Sequence, residues 1–147
     1  MVVSEEQKID ILTYCVAEGN RKCVPTVRGK DIVVLIGHTG AGKSTFANYM
    51  NRCKFETTTL SNKKKVICVS ADSDQEEVFL IGHRNVSATL YPHSKKVGNV
   101  NVCDCPGFVD SRGAEINLAN AENIKNAMHA AASVRVVAMV NYHSILA

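Results

Sequence analysis

The sequence has no apolar run approaching about 18 residues, the length that a membrane-spanning helix needs. Its amino terminus also lacks the basic and then apolar pattern of a secretory signal. The net charge is only +3, from 17 basic and 14 acidic residues, which is too small to indicate nucleic acid or an anionic membrane surface as a partner. These absences predict a cytoplasmic protein with no transmembrane segment and no nucleic-acid partner.

Cysteine is present, but not in a spacing that indicates a disulfide framework or a zinc site. None of the six cysteines forms a C-x-x-C pair, and no histidine cluster accompanies them. Cys68 and Cys103 lie in apolar, strand-like runs, where a free thiol behaves as a small hydrophobic side chain. Reduced thiols and a cytoplasmic location are therefore expected.

The most informative stretch is the transition from an apolar run to G-H-T-G-A-G-K-S-T at residues 37–45. The β-branched and Leu residues of 31–36 predict a buried strand, and 44–52 can form a helix because no Gly or Pro interrupts it. Between them lies G-x-x-x-x-G-K-[ST], the phosphate-binding loop pattern, in the strand, loop and helix context that the motif requires. The alternative is a Gly-rich turn with an incidental lysine.

The chemistry of a triphosphate explains the residue types in this loop. Glycines let several backbone N–H groups turn toward the phosphate charge, and the helix N-terminus adds further donors. Lys43 would reach the β- and γ-phosphates, and the Ser44 hydroxyl would complete a Mg²⁺ shell. The predicted nucleotide-binding residues of the loop are His38, Thr39, Gly40, Ala41, Gly42, Lys43, Ser44 and Thr45.

A second constellation, Asp104-Cys105-Pro106-Gly107, follows an apolar, strand-like run. An acid at a strand end opposite the loop can hold Mg²⁺ through a water, and Gly107 can offer its backbone N–H to the γ-phosphate. Alone, D-x-P-G is a common turn. Its position after a strand and downstream of a phosphate-binding loop makes it specific.

The rest of the chain indicates how these motifs are organised. Residues 4–19 predict a helix with an S-x-x-Q capping box at Ser4 and Gln7, and 20–30 predict a polar connector broken by Pro25 and Gly29. We therefore expect an amino-terminal helix and connector over 1–30 and a nucleotide-binding domain over 31–147.

Beyond the loop, apolar runs and polar stretches alternate. They predict, in order, a loop over 54–65, an antiparallel edge hairpin from 66–69 and 78–81, a loop over 85–98, a strand over 99–103, a helix over 114–132 and a strand over 134–140. Strands alternating with helices indicate an α/β fold with a mainly parallel sheet, flanking helices and a ligand at the carboxyl ends of the strands.

Together, G-H-T-G-A-G-K-S-T and D-C-P-G-F resemble the GTP-binding domain of the translation-factor-related GTPases, over about residues 31–142. The T-G-A-G-K-S-T run and Pro106 are more similar to septin-like and immunity-associated GTPases than to Ras-like ones. The resemblance implies a P-loop NTPase fold with GTP and Mg²⁺ as cofactors. It also implies a threonine that coordinates Mg²⁺ when the γ-phosphate is present, for which we expect Thr89. The alternative set for that threonine is Thr57, Thr58 and Thr59.

The chain departs from this family pattern in two ways. No N/T-K-x-D motif, which reads the guanine base in the family, is present through Ala147, so the domain is expected to be incomplete at its carboxyl end. Phe108 occupies the position of the Gln that orients water in Ras-like proteins, so slow hydrolysis is expected. The neighbouring residues considered as helpers, for each of which a structural role is favoured, are His38, Thr39, His83, Arg84, Ser111 and Arg112.

The expected function is a nucleotide-dependent switch or assembly GTPase that acts through a homodimer or a protein effector. An ATP-driven transporter ATPase or small-molecule kinase is the alternative, because transporter loops also carry G-x-T-G-A-G-K-S-T. A transporter ATPase would require an LSGGQ-like segment, which this sequence lacks, and an acid where Cys105 stands. A non-hydrolysing interaction module is the third alternative.

Overall fold

A computed structural model gives the structure of residues 4–82, 89–108 and 112–145. Its elements, in chain order, are α1 (Glu5–Val27), β1 (Asp31–Gly37), α2 (Lys43–Met50), β2 (Phe55–Thr59), β3 (Lys65–Val69), β4 (His93–Val97), β5 (Val100–Asp104), α3 (Ala114–Ala130), β6 (Ser133–Met139) and α4 (Tyr142–Ile145). Among these described residues, no helix is long and apolar enough to span a membrane.

The main sheet has four strands in the order β4-β5-β1-β6. β1 pairs in parallel with both of its neighbours, and β4 pairs antiparallel with β5 at one edge. The protein is therefore an α/β protein with a mixed, mostly parallel sheet flanked by helices, as the sequence predicts. Leu35 lies beside Asp104 and Gly37 beside Met139, so the carboxyl ends of the three parallel strands meet at one end of the sheet.

Side chains of β1 enter the cores on both faces of this sheet. Ile32 and Val34 pack in the core formed with α1 and α3, whereas Leu35 packs in the core on the α2 side. Because the strand is covered on both faces, its sequence is a continuous apolar run rather than an alternation. The bounds of β1, α2, β5, α3 and β6 agree with the predicted elements within a residue or two.

Helix α1 begins at the predicted capping box. The Gln7 N–H donates to the Ser4 hydroxyl at 3.2 Å, and the Ser4 N–H donates to the Gln7 side-chain oxygen at 2.9 Å. These reciprocal bonds pair two of the backbone N–H groups that the start of a helix leaves without partners.

The predicted connector over 20–30 is wrong, because α1 continues through Pro25 to Val27. A proline inside a helix costs about 3 kcal/mol, whereas full burial of a side chain such as Val27 contributes about 1.5–3 kcal/mol and the buried Cys23 adds to it. Packing of the helix end therefore offsets the proline. The division between 1–30 and 31–147 stays a prediction, but Cys23 and Val27 lie in the same core as β1.

The predicted edge hairpin from 66–69 and 78–81 is also wrong. β3 pairs antiparallel with β2, with Thr57 opposite Ile67, and the two strands form a separate sheet. β2 lies in the stretch predicted to be a loop, although its Phe and Thr residues are good strand formers beside a partner strand. Residues 78–79 instead lie against α2, where the buried side chain of Asn48 binds their backbone.

The antiparallel hairpin of the main sheet is formed by β4 and β5. The loop predicted over 85–98 is therefore wrong for the β4 residues. A tight turn at Gly98, which has a φ of +57°, connects the two strands. β4 is polar because it is an edge strand, and its Lys95 and Lys96 side chains are exposed.

Helices α1 and α3 lie in close contact and run in the same direction. Asn123 Nδ2 donates to the Cys15 carbonyl at 3.1 Å, and Asn126 Nδ2 donates to Asn20 Oδ1 at 3.0 Å. Between these bonds, a Cβ atom added to Gly19 would lie 2.1 Å from Asn123 Nδ2. The absence of a side chain at Gly19 therefore permits this helix spacing.

We expect Gly19→Ala to destabilise the protein, against the usual preference for alanine in a helix. At an open helical position the change stabilises by up to about 1 kcal/mol, but overpacking at this contact is expected to cost about 1–3 kcal/mol. Urea unfolding followed by circular dichroism measures the difference. In an Asn123→Ala background the clash is absent, so Gly19→Ala should there be neutral or stabilising. Equal destabilisation in both backgrounds would contradict the contact.

Candidate functional site

The loop between β1 and α2 is shaped by glycines at its turning points. Gly40 and Gly42 have φ values of +80° and +91°, a left-handed conformation that side chains disfavour. Gly42 is also the N-cap of α2. The first N–H groups of α2 therefore follow directly after the loop, at the positive end of the helix dipole.

Lys43 is buried beneath this loop rather than extended into solvent. Its Nζ donates hydrogen bonds to the carbonyl oxygens of Gly37 and His38, both at 3.0 Å. Burial lowers the pKa of Lys43, and the negative charge of Asp104 opposes that shift. The ammonium group thus lies inside the loop, with two neutral carbonyls as its partners.

Asp104, at the end of β5, joins this loop to a distant part of the chain. Its Oδ2 accepts hydrogen bonds from the Ser44 hydroxyl at 2.8 Å and from the Thr89 hydroxyl at 3.0 Å. The residue is completely buried, and its Oδ1 has no hydrogen-bond partner within the described parts of the chain. Burial raises the pKa of the Asp104 carboxyl, while both hydroxyls and the Lys43 charge oppose the rise.

The segment after Asp104 packs directly on the loop. The Phe108 N–H donates to the Gly37 carbonyl at 3.0 Å, and the Thr39 N–H donates to the Phe108 carbonyl at 3.4 Å. A Cβ atom added to Gly107 would lie 2.3 Å from Thr39 Oγ1 and 2.4 Å from its backbone nitrogen, so only glycine fits. Thr39 Oγ1 is buried, and no described residue pairs with it.

The structure brings several of the predicted site residues together. The residues joined by contacts at the loop and the strand end are Thr39, Lys43, Ser44, Thr89, Asp104 and Gly107. His38 is exposed and takes part through its backbone, and the Ala41 N–H closes the turn on the His38 carbonyl at 3.1 Å. Thr45 is half-buried in α2.

Other predicted residues lie elsewhere or outside the described structure. Thr57, Thr58 and Thr59 are exposed on β2, in the separate two-stranded sheet, whereas Thr89 is the threonine that contacts Asp104. Arg112 is half-buried just before α3, and Phe108 is 41% exposed. The helper residues His83, Arg84 and Ser111 lie outside the described residues.

The donor set fits a hard cation better than a soft one. Two hydroxyls and a carboxylate from Ser44, Thr89 and Asp104 supply only oxygen, which Mg²⁺ prefers. In the described ranges no group of three or more His, Cys, Asp or Glu side chains could hold a metal. The unpaired Asp104 Oδ1 and Thr39 Oγ1 are buried polar atoms that a metal-bound water or a phosphate oxygen could pair with.

Two further residues next to this site, His93 and Asn48, are not among those that the sequence predicts. His93 is the register partner of Asp104 on β4, and its ring packs against Phe79. No sequence pattern could reveal His93, since β4 itself was not predicted. The sequence does contain an indication of Asn48. It is a polar residue one turn after Ser44 on the buried face of a helix, and a buried polar side chain requires a hydrogen-bond partner.

Comparison with protein-family models, with curated proteins and with solved structures finds no match to this chain.

The buried carboxylate makes the stability of the ligand-free protein depend on pH. Because the pKa of Asp104 is raised in the fold, the folded state binds the proton more tightly than the unfolded state does. The resulting stabilisation is fully present below the unfolded-state pKa, about 3.9, and is lost as the pH rises through the folded-state pKa. The Asp104 carboxyl therefore contributes less to the stability of the fold at neutral pH than at acid pH.

We expect Asp104→Asn to raise the Tm at pH 7 without nucleotide or Mg²⁺, because the amide oxygen can still accept from Ser44 and Thr89 while the buried charge is removed. The gain should shrink toward pH 4. Thermal unfolding across this range measures both effects, with Asp10→Asn on the exposed side of α1 as the control. A Tm at pH 7 that falls below that of the unmodified protein would contradict the role of the buried charge.

Proposed function

We propose that the protein is a P-loop GTPase that binds GTP with Mg²⁺ and acts as a slowly hydrolysing nucleotide switch or assembly module. The observation that carries this proposal is the meeting of Ser44, Thr89 and Asp104 beside the buried ammonium of Lys43. Hydroxyls from two distant segments converge on one carboxylate at the carboxyl end of a strand. This is where a parallel α/β sheet binds its ligands.

The contacts of Lys43 support a phosphate-binding role. Its ammonium is held by two neutral carbonyls, which phosphate oxygens can replace with stronger, charge-assisted hydrogen bonds. The N–H groups at the start of α2 add donors at the same place. Lys43 and the loop backbone together would therefore bind the terminal phosphates.

The hydroxyls of Ser44 and Thr89 support a Mg²⁺ site. Each donates its hydrogen to Asp104, and a hydroxyl oxygen can also act as a ligand of a cation. Asp104 would orient both hydroxyls and hold a metal-bound water through its second oxygen. Bound Mg²⁺ would neutralise charge between the β- and γ-phosphates.

The position of Phe108 supports slow hydrolysis. It directly follows Gly107, and its half-exposed ring has no group that could orient an attacking water. A homodimer or a protein effector would have to supply such a group for faster turnover. The proposed output is therefore the nucleotide state itself, with Thr89 and Gly107 as the contacts that respond to the γ-phosphate.

We expect Lys43→Ala to weaken triphosphate binding by roughly 10- to 100-fold, because a hydrogen bond to a charged group contributes about 1.5–3 kcal/mol and 1.4 kcal/mol corresponds to tenfold. Titration with a fluorescent GTP analogue in the presence of Mg²⁺ measures the affinity. Lys64→Ala, which removes an exposed lysine from the β2–β3 turn, is the charge-matched control and should bind normally. Equal affinity of the Lys43→Ala and unmodified proteins would contradict the loop assignment.

Displacement of the same analogue by GTP and by ATP tests the base preference. The resemblance to the GTPase family favours GTP, and we expect GTP to compete at a lower concentration than ATP. A preference for ATP would instead favour the ATPase or kinase alternative. Binding without any release of inorganic phosphate over many hours would favour the non-hydrolysing module.

A further inference from the structure

A fully buried amide on α2 binds the backbone of a short segment that belongs to neither described sheet. Asn48 has no exposed surface. It follows Ser44 by one helical turn, so both side chains leave the same face of α2. Ser44 contacts Asp104 at the strand end, whereas Asn48 contacts the backbone of residues 78–79.

Asn48 makes three hydrogen bonds to this short segment. Its Oδ1 accepts from the N–H groups of Val78 at 2.6 Å and Phe79 at 3.3 Å, and its Nδ2 donates to the Phe79 carbonyl at 2.7 Å. Residues 78–79 belong to neither described sheet. The amide therefore supplies the partners that a neighbouring strand would otherwise provide.

The segment is attached on its other side to the β4–β5 hairpin. The Phe79 ring is 2% exposed and packs against His93 with ring centroids 4.9 Å apart and an interplanar angle of 66°. Lys95 Nζ donates to the Val78 carbonyl at 2.6 Å. Since His93 lies opposite Asp104 in the strand register, the segment connects α2 to the hairpin that ends at Asp104.

We propose that Asn48 is a positioning residue for the Mg²⁺ site, which fixes α2 against the hairpin and so holds Ser44 and Asp104 at their spacing. This inference rests on the proposed function. Removal of the amide leaves the buried N–H and carbonyl groups of Phe79 without these partners. The segment then no longer fixes α2, and the Ser44 hydroxyl no longer keeps its place beside Asp104.

The affinity for a nucleotide has two parts, the affinity without Mg²⁺ and the gain that Mg²⁺ adds, and the proposed role of Asn48 affects only the second. The loop and Lys43 lie before Asn48, at the start of α2, and none of their described contacts involves the amide. Triphosphate binding without Mg²⁺ therefore depends little on Asn48. The part of the affinity that Mg²⁺ adds depends on it, because that part requires Ser44 and Asp104 together.

The test is titration of a fluorescent GTP analogue at increasing Mg²⁺ and, separately, in EDTA. For Asn48→Ala we expect the Mg²⁺ concentration that gives half of the affinity gain to rise at least tenfold, while the affinity in EDTA changes less than threefold. Ala47→Gly is the matched control, because it loosens the same buried turn of α2 without touching the amide. Its Mg²⁺ midpoint should stay within twofold of the unmodified protein.

A purely structural role would affect both variants alike. The Tm of each variant measures how far it is destabilised. Equal Mg²⁺ midpoints for Asn48→Ala and Ala47→Gly would overturn the positioning role. If Asn48→Ala does not fold, Asn48→Asp decides the question, because it keeps the volume and the acceptor oxygen but loses the donor to the Phe79 carbonyl. A rise of at least threefold in its midpoint supports the proposal, and an unchanged midpoint overturns it.

The same titration distinguishes this inference from the proposed function. If the unmodified protein binds the analogue and Mg²⁺ strengthens that binding, the function stands whatever the Asn48 variants do. If Mg²⁺ has no effect on the unmodified protein, the proposed Mg²⁺ site is wrong, and the positioning role is wrong with it.

Discussion

The burial of the Asp104 carboxylate is the constraint on which the rest of the site depends. A buried charge is unfavourable unless hydrogen bonds and an opposite charge surround it. Asp104 has two hydroxyl donors on one oxygen and the Lys43 ammonium nearby, yet its other oxygen has no partner in the described structure. This incomplete pairing is what we expect of a group that is stabilised by a ligand rather than by the fold alone.

The parallel sheet explains how such distant residues reach one carboxylate. Ser44 precedes Asp104 by 60 positions and Thr89 precedes it by 15. β1 and β5 are adjacent and parallel, so the loop after one strand and the carboxylate at the end of the other lie side by side. The contacts of Gly107 and Phe108 with the loop then close this end of the sheet.

The sequence predicts those parts of the fold whose cause is local. Glycine spacing, an apolar run and a following helix locate the loop, and the capping box locates the start of α1, because each depends on a few adjacent residues. The parallel pairing of β1 follows from the alternation of strands and helices. The family resemblance implied a threonine that coordinates Mg²⁺, with Thr89 as the expected residue. Its contact with Asp104 comes from the structure, since a loop threonine carries no distinguishing sequence pattern of its own.

The parts that the sequence did not predict depend on tertiary contacts. α1 continues through Pro25 because Cys23 and Val27 are buried on the sheet, which no local propensity reveals. β4 is a polar edge strand, and β2 becomes a strand only beside β3. Residues 78–79 resemble a strand in composition, but the Asn48 amide binds their backbone in its place.

The most direct test of the central claim is a crystal structure with Mg²⁺ and a non-hydrolysable GTP analogue. We expect the Ser44 and Thr89 oxygens to lie about 2.1 Å from the metal, as Mg²⁺ coordination requires. We also expect Lys43 Nζ to leave the Gly37 and His38 carbonyls for phosphate oxygens. A nucleotide bound away from this loop, or a Mg²⁺ ion without Ser44 as a ligand, would contradict the assignment.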